Sequence, residues 1–441
     1  MQILRLNILI SAHELNPYGG SECAEGWNVV TRLGRYHNIT VLYAKGSQFS
    51  PSSYEFAIKD FFSKNTNPYN IKFISIEQTK ATQFVSKLNR IISNNTCSIG
   101  NPFLYYLGYF IWEKQAYRIA KQLCLNSKFD IIHHLTSISF REPGFLWKLP
   151  IPFVWGPTGG LSKIPYSFYK YIGFKSSLRE IIRNIINQIQ FGANNRIKKV
   201  IKKSSLIYTF SKEDQFIFYN ISGIQPKLLL DAASLKPTMK NINISRNSNL
   251  ISVLWCGELI KRKSLDIILF AISSDPQLKQ RITLKIVGSG HLELQYKDLC
   301  DTLNINNCVE WIGQVDRPTV FKIMDESDLF VHSSYREGTG HVITEALSHG
   351  LPVICHDING MSVAINDECG IKIPLINPEK SINGFKNALL ELTNNSTRLK
   401  KLQMGAINRS QELSWDAMAE TIATDYLSIY EKHKNIKIEQ K

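Results

Sequence analysis

The residues with the clearest chemical content lie in DLFVHSSYREGTGHVITEALSHGLPVIC, positions 328–355. A buried-strand pattern, Asp328–His332, runs into a loop carrying Glu337 and then Gly338-Thr339-Gly340, and Glu345 follows eight residues after Glu337 inside a helical pattern. Glycines let a backbone approach a ligand closely, and the free N–H groups of a helix start attract anions. A carboxylate accepts hydrogen bonds from paired sugar hydroxyls, whereas the helix start suits phosphate. Two carboxylates so spaced can address different groups of one ligand. Other candidates sit at element ends: Gly19-Gly20 after the first strand, Arg262-Lys263 after WCGELI, and His133-His134 at the end of FDIIHH.

These groups need positioning, and the chain alternates strand and helix patterns in the way a helix-wrapped parallel sheet does. Strands are predicted at Ile3–Ile10, Ile39–Tyr43, Ile71–Ile76, Ile131–His134, Phe153–Trp155 and Leu206–Phe210. Helices are predicted around Ala24–Leu33 and Tyr105–Leu125. A polar, turn-rich stretch at 236–249 reads as a linker, after which the alternation restarts. Strands at Leu250–Trp255, Leu284–Val287, Val309–Trp311, Leu329–His332 and Pro352–Cys355 alternate with helices at Leu265–Ala271, Arg317–Glu326 and His341–His349. Trp415–Lys434 is helix-periodic. The expectation is an α/β chain of two doubly wound domains, 1–235 and 250–414, joined by 236–249 and followed by a terminal helix and tail, 415–441. Ligands of such sheets gather at the carboxyl ends of strands, so a cleft between the sheets is the expected site.

Composition narrows the partners. The net charge of +15 over 441 residues points to anionic ones. Ten Lys or Arg fall between Lys163 and Lys203 against one acid, Glu180, interleaved with aromatic and aliphatic residues. That stretch reads either as a solvated helix face or as a surface resting on anionic lipid headgroups. Nucleic acid is disfavoured because no recognisable binding module accompanies the charge. No run approaches the roughly 18 apolar residues that span a bilayer. The first apolar run is short and carries Arg5 and Asn7, so it reads as a strand rather than a signal peptide and implies cytoplasmic residence. The eight cysteines are scattered without a C-x-x-C pair and read as reduced thiols.

REGTGHVITEALSHGLPVI resembles the E-x7-E region of the retaining glycosyltransferases of family 4, which have the GT-B fold. Further pieces follow in that family's order: the Tyr18–Glu22 glycine loop, WCGELIKRKSLDIIL, KIVGSG, WIGQV and LSWDAMAETIATDYLSIY. WGPTGGLSK and HHLTSISFREPGFLW resemble elements of a polysaccharide-building subset. The likeness runs along nearly the whole chain and is faintest between 45 and 125.

The resemblance implies two Rossmann-like domains facing across a cleft, acceptor-binding first and donor-binding second, with the terminal helix crossing back to the first. It implies a nucleotide-diphosphate sugar as donor, retention of anomeric configuration, and no metal or other cofactor. The acceptor would be a cell-surface polysaccharide or lipid-linked saccharide at the inner face of the cell membrane. Gly19, Gly20, Arg262, Lys263, Gly338, Thr339, Gly340 and Glu345 would bind the donor, with Glu345 on the ribose. Glu337 would orient sugar hydroxyls, and either His133 or His134, with His134 preferred, would stand by the donor sugar. The chain departs from the pattern in two places. Glu258 stands where many members have an Arg, which leaves the second cation to Arg262, and Leu135 stands where a second His is common. Ser211 reads equally as a cleft residue or a helix cap. A glycoside phosphorylase on the same fold and a sugar-nucleotide-binding protein without catalysis are the alternatives. No clean G-x-G-x-x-G follows the first strand, so a dinucleotide oxidoreductase is disfavoured.

Overall fold

The computed structural model describes residues 4–46, 53–66, 69, 71–92, 100–193, 195–237 and 250–439. Most of the expected linker, 238–249, lies outside the described residues, as does Cys97. The chain divides into two compact units.

The first unit comprises residues 1–161, 189–231 and 415–441. Its sheet is built from β1 (Asn7–Ala12), β2 (Asn38–Ala44), β3 (Lys72–Ile76), β4 (Ile131–Thr136), β5 (Phe153–Thr158), β6 (Leu206–Thr209) and β7 (Lys227–Leu228). All pairings are parallel, in the order β3-β2-β1-β4-β5-β6-β7. β4 and β5 are buried along their whole length, as strands covered by helices on both faces must be.

The second unit, 162–188 and 232–414, carries β8 (Ile251–Cys256), β9 (Ile282–Val287), β10 (Val309–Gly313), β11 (Leu329–His332), β12 (Val353–His356) and β13 (Gly370–Ile373). These too are parallel, ordered β10-β9-β8-β11-β12-β13. Its core joins Val253, Trp255, Ile286 and Val331 from the strands to Leu265, Ile268 and Phe385 from helices.

Both sheets share the doubly wound order in which the chain leaves the first strand on one side and returns on the other. The switch points fall between β1 and β4 in one unit and between β8 and β11 in the other. The candidate site groups lie in, or shortly after, the strands that border these switch points: β1 and β4 in one unit, β8 and β11 in the other.

In chain order the helices that bear on function are α1 (Glu22–Leu33), α2 (Pro102–Asn126), α3 (Phe174–Ala193), α4 (Asn195–Lys203), α5 (His341–Ser348) and α6 (Trp415–Glu439). α6 belongs to the first unit, pinned by Arg32 Nε to Asp416 at 3.1 Å, Tyr208 Oη to Asp425 at 2.7 Å and Tyr426 Oη to His133 at 2.5 Å. The sequence pattern sets one domain at 1–235, whereas residues 162–188 pack into the second unit, with Ile164, Phe168 and Ile172 in its core. The physical reason is an apolar i, i+4, i+8 stripe that seats on that core. The helices Tyr54–Lys64, Lys80–Ile92, Pro378–Asn394 and Ser396–Glu412 and the strands β7 and β13 are additional to those the sequence pattern predicts. No described helix is long and apolar enough to cross a membrane.

Candidate active site

In the second unit β8 and β11 each end in a loop, and the two loops are laced together. β8 leads through Gly257 to a 3-10 turn, Lys261–Lys263. β11 leads from His332 through Ser333 and Ser334 to Glu337 and the start of α5. Ser333 Oγ donates to Lys263 O at 3.0 Å, Ser334 Oγ and Tyr335 N donate to Arg262 O at 3.2 Å each, and Arg262 Nη1 donates to Arg336 O at 2.9 Å. This lacing brings Arg262 and Lys263 to the carboxylate that the sequence separates from them by more than 70 positions.

Glu337 Oε2 accepts from Arg262 Nη1 at 2.9 Å and from Lys263 Nζ, and His332 Nε2 stands 3.6 Å away. Burial by itself pushes the Glu337 carboxyl up, but His332, Lys263 and Arg262 together outweigh it and hold the group well below the usual carboxylate range. Burial, reinforced by repulsion from Lys263, pushes the His332 imidazole down to about 4. The site therefore carries a fixed carboxylate, two cations and a neutral histidine at neutral pH. Asn359 Nδ2 donates to Glu337 O at 2.6 Å and steadies the loop.

Gly340 has φ 81, a left-handed conformation that only glycine adopts freely, and it opens α5 without any side-chain cap. The start of α5 turns the positive end of its dipole toward this loop, a setting that favours an anion. Gly338 is half-buried and Thr339 buried within the same loop. Glu345 lies just past the first turn of α5, paired with Arg317. Gly288, with φ 127, has its Cα so close to the neighbouring loop that a Cβ there would lie 1.9 Å from Gly257 O. Only glycine lets the end of β9 close against the end of β8. Arg262 and Lys263 supply the positive charge beside Glu337.

In the first unit, β1 ends in His13-Glu14 and the loop to α1. Gly19 is half-buried and Gly20 exposed; a Cβ on Gly19 would lie 2.5 Å from Cys23 Cβ, so glycine permits the turn. α1 starts after Ser21 with no side-chain cap, like α5. Glu14, which no sequence motif marks, lies on His13 Nδ1 at 3.0 Å, Tyr109 Oη at 3.0 Å and Cys23 Sγ at 3.3 Å, with Tyr54 Oη also on it. Burial pushes its carboxyl up, and the hydrogen bond and charge of His13 lead the partners that bring it down to about 2. Glu22 behaves oppositely: burial, then the nearby Glu14 charge, raises it to about 7.

The two strand-end histidines part company. His133 spends both ring nitrogens inside the first unit, Nδ1 on Tyr426 Oη at 2.5 Å and Nε2 on Gly156 O at 2.6 Å. It is fully buried and serves as a strut between β4, β5 and α6, with no nitrogen left for a ligand. His134 makes no side-chain hydrogen bond among the described residues, and its Nδ1 stands 3.6 Å from Glu113 Oε1 on α2. Burial pushes His134 down to about 3, so its ring is neutral at neutral pH, and pushes the Glu113 carboxyl well up. Sequence reasoning misses Glu113 and His332. For His332 a signal exists, since it closes β11 as His133 and His134 lie in β4; for Glu113, inside a long helix, there is none. Ser211 is a helix cap, accepting from Asp214 N at 3.0 Å, while Asp214 accepts from Gly160 and Leu161 N and shapes the GPTGGL turn. Among the described residues no group of three or more His, Cys, Asp or Glu could hold a metal ion.

The cation pair and glycine loop fall inside a recognised segment. Residues 239–409 match the family model described as glycosyl transferases group 1. The D-inositol 3-phosphate glycosyltransferase of Streptomyces bingchenggensis is 26% identical over 194 residues, 42% of this chain and 42% of its own. The chain spans less than half the length of the curated relatives it matches first. Solved structures extend the likeness to the whole chain. The sucrose-phosphate synthase of Thermosynechococcus elongatus superposes with a TM-score of 0.59 at 14% identity, over 97% of this chain and 100% of that one. The Anabaena HepE protein in complex with UDP-glucose superposes with a TM-score of 0.53 at 16% identity, over 96% and 100%. The chain has the GT-B fold of two Rossmann-like domains, as expected from its sequence.

Proposed function

We propose that this chain is a retaining glycosyltransferase of family 4 that takes its sugar from a nucleotide-diphosphate sugar. The observation that carries the reading is the Arg262–Lys263–Glu337 cluster beside the uncapped start of α5, inside the segment that matches the group 1 model. Two cations and the positive end of a helix suit a departing diphosphate, and stabilising the charge that develops on a leaving group is the strongest single aid such a site gives to the reaction. Glu337, held ionised by those same cations, is placed to orient sugar hydroxyls. Glu345 is assigned to the ribose, with Arg317 holding its carboxylate, and Gly19-Gly20 with the start of α1 to the donor phosphates. His134, beside Glu113, is assigned to the donor-sugar side and His133 to structure.

In this reading the acceptor hydroxyl attacks an oxocarbenium-like centre from the face the diphosphate leaves, and its proton passes to the leaving phosphate. Side-chain cations take the part a divalent ion plays elsewhere, so no metal is required. The acceptor is proposed to be a cell-surface polysaccharide or lipid-linked saccharide presented at the inner face of the cell membrane. The basic, aromatic-rich stretch 163–203 supports that location.

Calorimetric titration with UDP, GDP and ADP tests the donor assignment. Binding of one nucleotide, weakened roughly 10-fold or more by Glu345→Ala, is expected for a lost charged hydrogen bond to ribose. Binding that survives Glu345→Ala unchanged refutes the placement of the nucleoside, and no binding of any nucleotide by folded protein favours the non-catalytic alternative. Cleavage of a glycoside by inorganic phosphate alone would instead reveal the phosphorylase.

A further inference from the structure

α3 is amphipathic the wrong way round for a helix on a water-soluble surface. Leu178, Ile181, Ile182, Ile185 and Ile186 recur at i, i+3, i+4, i+7 and i+8, the spacing that normally faces a core. Here they face out, 40–50% exposed, continued by Phe174 at 83%. The polar side is the one turned inward. Ser177, Glu180 and Asn187 are buried. Glu180 accepts from Arg183 Nη1 at 3.2 Å and pairs with Arg336, which directly precedes Glu337. Arg183 Nη1 also donates to Ser162 O at 3.1 Å, and Asn184 Nδ2 to Tyr169 Oη at 3.4 Å. These polar ties fix the rotation of α3 about its axis and turn the aliphatic stripe toward solvent.

The charge beside the stripe says what covers it. Lys170, Lys175 and Arg179 are exposed next to it, and the one acid of the segment, Glu180, is buried and already paired. α4 provides the contrast. Its Ile197, Val200 and Ile201 are buried and its lysines point to solvent, the ordinary arrangement of a surface helix. The run of basic residues thus divides into a solvated helix, α4, and an inverted one, α3.

We infer that α3 is an interfacial helix that docks this chain on an anionic lipid surface, its aliphatic stripe entering the acyl boundary and Lys170, Lys175 and Arg179 meeting headgroup phosphates. The inference deepens the membrane reading of the proposed function and rests on it for its purpose. The physical case stands on the inverted face alone. Residues 174–188 of the docking helix lie in the same unit as the donor loop, tied to it by Glu180 and Arg336.

The full-length chain is to be sedimented with phosphatidylglycerol-containing vesicles and with pure phosphatidylcholine vesicles. Co-sedimentation with the first only is expected, weakened roughly fivefold for each of Lys175→Glu and Arg179→Glu, since a basic residue near such a surface contributes that much. Ile182→Glu with Ile185→Glu is expected to abolish it. Both positions are solvent-facing, so melting and nucleotide titration should be unchanged. As an independent readout, the emission of Ile185→Trp should shift to the blue on adding anionic vesicles. Failure of the native chain to sediment with anionic vesicles overturns the inference. So does binding that survives the double Ile variant and is lost only with Lys198, Lys199, Lys202 and Lys203 changed to Glu. A native dimer that Ile185→Glu converts to monomer also overturns it, since a second copy then covers the stripe. Nucleotide binding retained in a chain that ignores vesicles would leave the donor assignment standing, and the converse would leave the docking standing.

Discussion

His133→Ala separates a strut from a catalyst. The carbonyl of Gly156 can only accept, so His133 Nε2 carries the proton and Nδ1 accepts from the Tyr426 hydroxyl. Removing the ring leaves a hydroxyl on α6 and a carbonyl at the end of β5 without these partners, in a site with no exposure. Each stranded polar group costs about 1–3 kcal/mol, and the cavity adds to that. The expected total is about 3–5 kcal/mol, a large part of the ~5–15 kcal/mol by which a domain is stable. Tyr426→Phe should cost about 1–2 kcal/mol alone and much less in the His133→Ala background, because the two act through one hydrogen bond. Urea denaturation followed by tryptophan emission measures all three variants, and turnover of the folded fraction is measured alongside. His133→Ala that keeps its stability within about 0.5 kcal/mol of native while turnover disappears would refute the reasoning and return His133 to the reacting centre.

Lys263→Ala should lower affinity for the nucleoside diphosphate roughly 10- to 100-fold in calorimetry, the range for a hydrogen bond to a charged group. Arg262→Ala should lower it less, because the Arg262 side chain is 37% exposed against 12% for Lys263; the reverse order would overturn the assignment of the diphosphate to Lys263. Acid should destabilise the fold early. Burial holds His133, His332 and His356 at about 4 and His134 at about 3, below the ordinary value of about 6.5. The unfolded chain therefore takes up protons first. Stability is complete above pH ~6.5 and is lost as pH falls toward 4, by about 2–3 kcal/mol for each such ring before pH ~4.5. A flat urea midpoint across that window would contradict the buried, neutral state of these rings. Glu22, raised to about 7, works the other way: the stability it contributes is present below its unfolded value and lost as pH rises through 7. Glu22→Gln should recover about 1 kcal/mol at pH ~8, the group being half-buried.

Much of the architecture is legible in the sequence because parallel-sheet strands are near-continuous apolar runs bounded by turn residues. The patterns at Ile131–His134, Leu250–Trp255 and Leu329–His332 fall within a residue or two of where β4, β8 and β11 lie. Short or half-exposed strands, β7 and β13, escape because such segments leave little hydrophobic signal. The Glu337–Glu345 spacing and the glycines between them can likewise be read in one dimension, since loop, helix start and first turn are contiguous. What surrounds Glu337 cannot. Its cations come from another strand end and its histidine from its own, and only the doubly wound order sets those strands side by side.

Sequence by itself determined the two successive β/α repeats, the anion-seeking charge and the residue types at each strand end, because these depend on local periodicity and composition. Tertiary structure alone decided which of two adjacent histidines is a strut, because alternate residues of a strand point to opposite faces and only packing says what each face meets. It also decided which face of Phe174–Ala193 is outermost. The helical pattern is symmetric to rotation about its axis until Glu180, Arg183 and Asn184 find their partners, and those partners set the aliphatic stripe facing out.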